Sequence, residues 1–272
     1  MKNAPGIKQT RAVSSRKALL MGVLATVAMN CAMASDDPYA GPVKPALPPS
    51  SLQWDASRTA MVVIDPQIDF MSPKGAGWKI FGASVTEQKL VPNLQKLFAA
   101  TKRAGMVVAI SPHYYYPHDH KWKHEGPAET VQHKLGLFDR KGALTLDGFR
   151  GSGADFMPEF KQYIEDGNTI VASPHKLYGP QSNDLMLQLR KQHIDKIILT
   201  GMASNLCVES HLREFIERGF EVIVVRDAVA GPKLPDGDGY LSALVNFRYI
   251  AGEVTTTDEI VKRLNKKAAP SR

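Results

Sequence analysis

The sequence is poor in cysteine, with two in 272 residues. Two cysteines alone cannot build a disulfide framework, a zinc ribbon or an iron–sulfur site. Acidic residues are missing from the first 34 positions, which carry Lys2, Lys8, Arg11, Arg16 and Lys17. Long apolar runs are missing too. The stretch from Ala18 to Met29 is about a dozen residues, against the ~20 needed to span a bilayer. No internal repeat is visible. What is present is a 43% hydrophobic content, enough for a sizeable core, which excludes disorder as the dominant state.

The basic start, the short apolar run and Ala32-Met33-Ala34 before Ser35 read as a secretory signal peptide over residues 1–34. The mature chain is then expected to start near Ser35, in the periplasm or outside the cell. Its removal takes five of the 34 cations and leaves 29 against 27 acids, so the formal charge falls from +7 to +2. It also removes Cys31 and leaves Cys207 alone. No Lys/Arg stripe remains, so a nucleic-acid surface is not expected. Nor is a membrane partner after cleavage. Residues 35–54 hold Pro38, Pro42, Pro45, Pro48 and Pro49 and read as an extended tether without fixed structure.

From residue 55 to about 265, short apolar runs alternate with helical patterns; 266–272 reads as a tail. Strands are expected at 60–64, 106–110, 169–172, 196–200, 221–225 and 254–256. Ser84-Val85-Thr86-Glu87 has the form of a capping box opening a helix through Leu90, Leu94, Leu97 and Phe98. Continuous apolar strands between amphipathic helices imply a mainly parallel sheet covered on both faces, an α/β fold. Ligands in such sheets bind outside the carboxyl ends of the strands.

Three chemistry-bearing residues follow three different strands. Cys207 falls about two residues into a helix, where free N–H groups would lower its pKa and could hold an oxyanion. Asp65 ends an apolar strand and could move a proton to and from the thiol. An ammonium at Lys176 would favour both anions. Structural readings stand beside each: an inert buried cysteine, a turn aspartate, an exposed loop lysine.

Val63-Ile64-Asp65-Pro66-Gln67-Ile68-Asp69-Phe70 resembles the opening D-x-Q-x-D-F motif of the isochorismatase-like cysteine hydrolases. Thr200-Gly201-Met202-Ala203-Ser204-Asn205-Leu206-Cys207 resembles their nucleophile turn, and Gly151–Asp155, Asn183–Arg190 and Val224–Ala228 are similar as well. The resemblance runs from about Met61 to Thr257. It implies a three-layer α/β/α sandwich of Rossmann-like form, a homo-oligomer, and an Asp–Lys–Cys triad carried onto Asp65, Lys176 and Cys207. It implies a cis peptide at Met202–Ala203, with the N–H groups of Ala203 and Cys207 as the oxyanion hole. Gln67, Phe70, His113, Tyr115 and Met202 are the expected substrate pocket. Relatives that keep the cysteine mostly cleave small amides or ureido compounds, through a thioester. The alternatives are a vinyl-ether hydrolase that does not need Cys207 and a non-catalytic binder of small molecules.

Two departures stand out. The family lysine follows its strand almost at once, whereas Lys176 comes two or three residues late. Nicotinamidases also hold a metal with D-x-H after the second strand, where this chain has His113 and Tyr115. No cofactor is expected; if a divalent metal binds, the nearest imidazoles are His113, His118, His120 and His124. The long connection from 111 to 168, with Tyr114, Tyr115, Tyr116, Trp122 and Phe138, reads as a lid or subunit contact that shapes the pocket.

Overall fold

The structure, a computed structural model, describes residues 37–48, 51–177 and 179–267. The expected signal peptide and the last five residues lie outside them. The strands are β1 (Thr59–Ile64), β2 (Val107–Ser111), β3 (Ile170–Val171), β4 (Lys196–Gly201), β5 (Glu221–Val229), the small hairpin β6 (Lys233–Leu234) and β7 (Gly237–Asp238), and β8 (Glu253–Thr255). The α-helices are α1 (Ile68–Met71), α2 (Trp78–Glu87), α3 (Leu90–Arg103), α4 (Pro127–Leu135), α5 (Pro158–Ile164), α6 (Leu185–Lys191), α7 (Glu209–Glu217), α8 (Gly239–Ile250) and α9 (Thr257–Lys267). No helix among the described residues is long and apolar enough to cross a membrane.

Six strands form one parallel sheet in the order β3-β2-β1-β4-β5-β8. All six residues of β1 are buried, as a strand covered on both faces requires. Its side chains alternate between two cores. Met61 and Val63 join Leu94, Leu97, Phe98, Phe160 and Ile260, from α3, α5 and α9. Ala60, Val62 and Ile64 join Leu189, Leu212, Phe215 and Phe247, from α6, α7 and α8. The result is the expected three-layer α/β/α sandwich. Each fully buried Leu or Phe contributes roughly 1.5–3 kcal/mol.

Two local expectations fail. Ser84 does not open a helix: it lies inside α2, and its hydroxyl accepts the Gly231 N–H. The break comes later, at Lys89 with φ +51°, just before α3. The proline-rich segment is not wholly free. The Tyr39 ring packs edge-on against Tyr240 at 4.9 Å, and its hydroxyl donates to Asp238. One aromatic anchor thus fixes a stretch whose prolines remove backbone donors.

Three devices hold the carboxyl edge of the sheet in place. Gly201 ends β4 with φ +109°, and a Cβ there would lie 2.0 Å from the Ile64 carbonyl oxygen. Only glycine permits that approach. Next, Gln67 and Asp69 tie loops together. The Gln67 amide donates to the carbonyls of His113 and Ala154 and accepts the His113 N–H. The Asp69 carboxylate accepts the N–H groups of Ala76 and Phe138. Gly153 packs on that carboxylate so closely that a Cβ would sit 1.9 Å from Oδ1. Finally, a polar chain runs from Asn183, just ahead of α6, through buried Ser111 to His211 on α7. Asn183 donates to the Ser111 hydroxyl. His211 Nδ1 lies 2.7 Å from the Cys207 carbonyl, which only accepts, so Nδ1 carries the proton. Nε2 is then free to accept from the Ser111 hydroxyl at 2.9 Å.

Two expectations follow. Gly153→Ala displaces the Asp69 carboxylate and lowers stability by roughly 1–3 kcal/mol, read as the shift in a urea unfolding midpoint. Second, burial, then the charge of His175, holds His211 well below the usual histidine range, so the folded chain keeps it neutral. The unfolded chain protonates it below about pH 6.5. Stability therefore falls as pH drops through that value, by up to about 1.4 kcal/mol per pH unit for this one group. Urea unfolding at a series of pH values should show a shallower acid loss in His211→Gln than in the parent; equal slopes contradict the assignment.

Candidate active site

The β1–β4 register pairs Ile64 with Gly201, so the residues just beyond them meet. Asp65 leaves β1 with φ +48°, an unusual conformation that aspartate tolerates better than most residues. Its N–H is held by the Ser111 carbonyl. On the other side the chain leaves Gly201 through a cis peptide at Met202–Ala203. It enters a π-helical turn, Ser204–Val208, which feeds α7. Cys207 therefore sits in a widened turn before the helix proper. Asp65, Cys207, His113 and His175 are all fully buried.

The structure does not bring Lys176 onto Asp65. Its ammonium is held by the Asp119 carboxylate and the Tyr114 carbonyl, over the ring of Tyr116. It pins the long connection to the loop after β3. The neighbour, His175, reaches Asp65 instead: Nε2 lies 2.8 Å from Oδ1. The His175 backbone N–H bonds the Pro112 carbonyl, which turns the ring inward beside His113. His175 Nδ1 contacts the Lys176 carbonyl, which can only accept, so Nδ1 is protonated. A single further proton therefore lies between Nε2 and Asp65. Sequence reasoning missed His175 because it sought a permanent cation; its position one residue nearer the strand was the available signal.

Burial raises the pKa of the Asp65 carboxyl, while the charge and hydrogen bond of His175, and then the Cys207 thiol, pull it back. Burial also pushes the Cys207 thiol well up, and the Asp65 carboxylate adds to the shift. The N–H groups of Ala203 and Cys207 oppose it. This reverses the expected lowered pKa: the amides of the turn act as foreseen, but desolvation outweighs them. At rest the cysteine is a thiol, with Sγ 3.0 Å from the Leu177 carbonyl oxygen.

The expected pocket residues divide. Gln67 spends its amide on backbone, and Phe70 packs edge-on between Phe81 and Phe138, so both support the site. Met202 is fully buried in the core on the α3 side. Tyr115 is also buried, its hydroxyl donating to Gln132 and its ring against His113 and His133. His113 stacks on Phe138, and neither ring nitrogen has a hydrogen-bond partner. Burial, then the charges of His175, Lys176 and His133, keep it well below the usual histidine range, hence neutral.

The residues considered for a nicotinamidase-type metal do not fit one. His118 lies on Tyr116, and His120 pairs with Asp139, while His113 groups with His175 and Cys207 instead.

Similarity to known proteins agrees with this fold. Residues 59–259 match the isochorismatase domain. The ureidoacrylate amidohydrolase of Variovorax paradoxus is 26% identical over 262 residues, covering 88% of this chain and 97% of that protein. Among solved structures, a cysteine hydrolase from Pseudomonas syringae pv. phaseolicola superposes with a TM-score of 0.66 at 23% identity, over 81% of this chain and 99% of that one. N-carbamoylsarcosine amidase from Thermoplasma acidophilum gives 0.55 at 20% identity, over 74% and 97%. With a parallel sheet of this order, and an aspartate and a cysteine turn at its carboxyl edge, the chain belongs to the isochorismatase family.

Proposed function

We propose that the chain is a cysteine hydrolase that cleaves a C–N bond of a small amide or ureido compound through a thioester. The observation that carries this reading is the fully buried Cys207 thiol set against the Asp65 carboxylate at the sheet edge. The amidohydrolase and amidase relatives support the substrate class.

The chemistry runs through this chain's own groups. Asp65 takes the thiol proton as sulfur attacks the carbonyl carbon, so no free thiolate need build up beforehand. The N–H groups of Ala203 and Cys207, which already act on the sulfur, hold the developing oxyanion. Asp65 returns the proton to the leaving amine. Water, with Asp65 now as base, cleaves the thioester. His175 takes the place given to lysine in the related enzymes: it holds Asp65 by one hydrogen bond and shares a proton with it. His113, neutral and with both ring nitrogens unpartnered, faces the substrate as a donor and an acceptor. The mature chain works outside the cytoplasm, after cleavage near Ser35.

A panel of small amides and ureido compounds scored by ammonia release tests the activity. Cys207→Ala should abolish hydrolysis of any compound that responds; a wild-type rate in that variant sinks the reading. His175→Ala should lower kcat by about 10²-fold or more, the usual worth of a proton-handling group, while Lys176→Ala stays within about tenfold. Equal losses would return the triad role to the lysine. Edman sequencing of the native protein should start near Ser35; a chain that still begins at Met1 contradicts export.

A further inference from the structure

One donor atom each from His113, His175 and Cys207 lies within 4.8 Å of the other two, and all three residues are fully buried. Two imidazoles and a thiol are the donor set of zinc and its neighbours, not of calcium or magnesium. The second observation is independent of that spacing. Both ring nitrogens of His113 are buried without a partner, which costs free energy unless something occupies them. We infer that His113, His175 and Cys207 form a zinc site in which a Zn²⁺ ion replaces the thiol proton and excludes substrate.

Zinc bonds sulfur at about 2.3 Å and imidazole nitrogen at about 2.0–2.1 Å. Donors spread over 4.8 Å close on such an ion with movements of about an ångström or less. Charge balances as well. The thiol loses its proton to solvent and becomes a thiolate, and a Zn–S bond forms. The proton shared by His175 and Asp65 also leaves, so Nε2 can donate its lone pair to the metal. The Asp65 carboxylate remains beside the ion. One thiolate and one carboxylate thus offset the 2+ charge in a water-excluded space, where an unpaired charge would not persist. The occupied sulfur cannot attack a carbonyl. The ion therefore acts as a brake, competing with substrate for the atoms that would bind and cleave it. This braking role rests on the cysteine-hydrolase reading; the ion site does not.

The test uses the full chain, titrated with Co²⁺ as a spectroscopic stand-in and then with Zn²⁺. One equivalent of Co²⁺ should raise a thiolate-to-cobalt charge-transfer absorption, and Zn²⁺ should displace it. His113→Gln should weaken binding by more than 10-fold, since loss even of an outer-shell partner costs about 10–100-fold. His118→Gln and His120→Gln, which alter the outer imidazoles, should leave the titration unchanged. Circular dichroism establishes that His113→Gln is folded; if it is not, His113→Asn replaces it. No charge-transfer band in the parent, or a band of equal affinity without His113, overturns the site. With a responding amide in hand, Zn²⁺ should inhibit in competition with it; activity unaffected by saturating Zn²⁺ overturns the brake. The cobalt titration needs no substrate, so failure of the amide panel and failure of the ion site are separate results.

Discussion

How closely β4 approaches β1 at their carboxyl ends decides everything at the site. The two strands are bonded in register up to Ile64 and Gly201, and at that last pair there is no room for a side chain. The close contact lets one strand deliver a carboxylate and the other a sulfur to the same small volume. A bulkier residue at position 201 would splay the two ends and part them. The rest of the architecture can be read as support for that junction, with two apolar layers clamping the sheet from either side.

The D-x-Q-x-D-F segment shows how such support is divided. Of its three polar residues, Asp65 is the one placed against the thiol. Gln67 and Asp69 satisfy backbone groups of the nearby turn at residue 76 and of loops far away in sequence, near residues 113, 138 and 154. Buried amides and carboxylates are costly unless fully bonded, and here they are bonded to main chain. They fix loop positions to within hydrogen-bond tolerance. A motif that reads as chemistry is thus one part chemistry and two parts positioning.

The alternation of strands and helices was legible because a parallel sheet buried on both faces demands continuous apolar runs. Asp65 and Cys207 were legible because a carboxylate and a thiol interrupt such runs at strand ends. Other features were hidden for physical reasons. Ser84-x-x-Glu87 is a local pattern, and tertiary packing carried the helix straight through it. The choice between His175 and Lys176 depended on which way two adjacent side chains turn. That was set by a backbone bond to Pro112 and by Asp119, some 57 residues before Lys176. The thiol pKa went the other way from expectation because helix-end amides are visible in a sequence and complete desolvation is not. His211 could have been found: it follows Cys207 by four residues, one turn along the same helical face.

The Leu177 carbonyl on the sulfur has a consequence for durability. A thiolate exposed to peroxide climbs toward sulfenic and then irreversible acids. This sulfur is protonated, buried and covered by a main-chain oxygen. Small oxidants therefore meet a poor nucleophile behind a closed door. Cys207 has no partner cysteine among the described residues, and so no disulfide to retreat into there; its lifetime depends on remaining unreactive between turnovers. Desolvation, which at first sight only hinders the chemistry, is what preserves the sulfur for it.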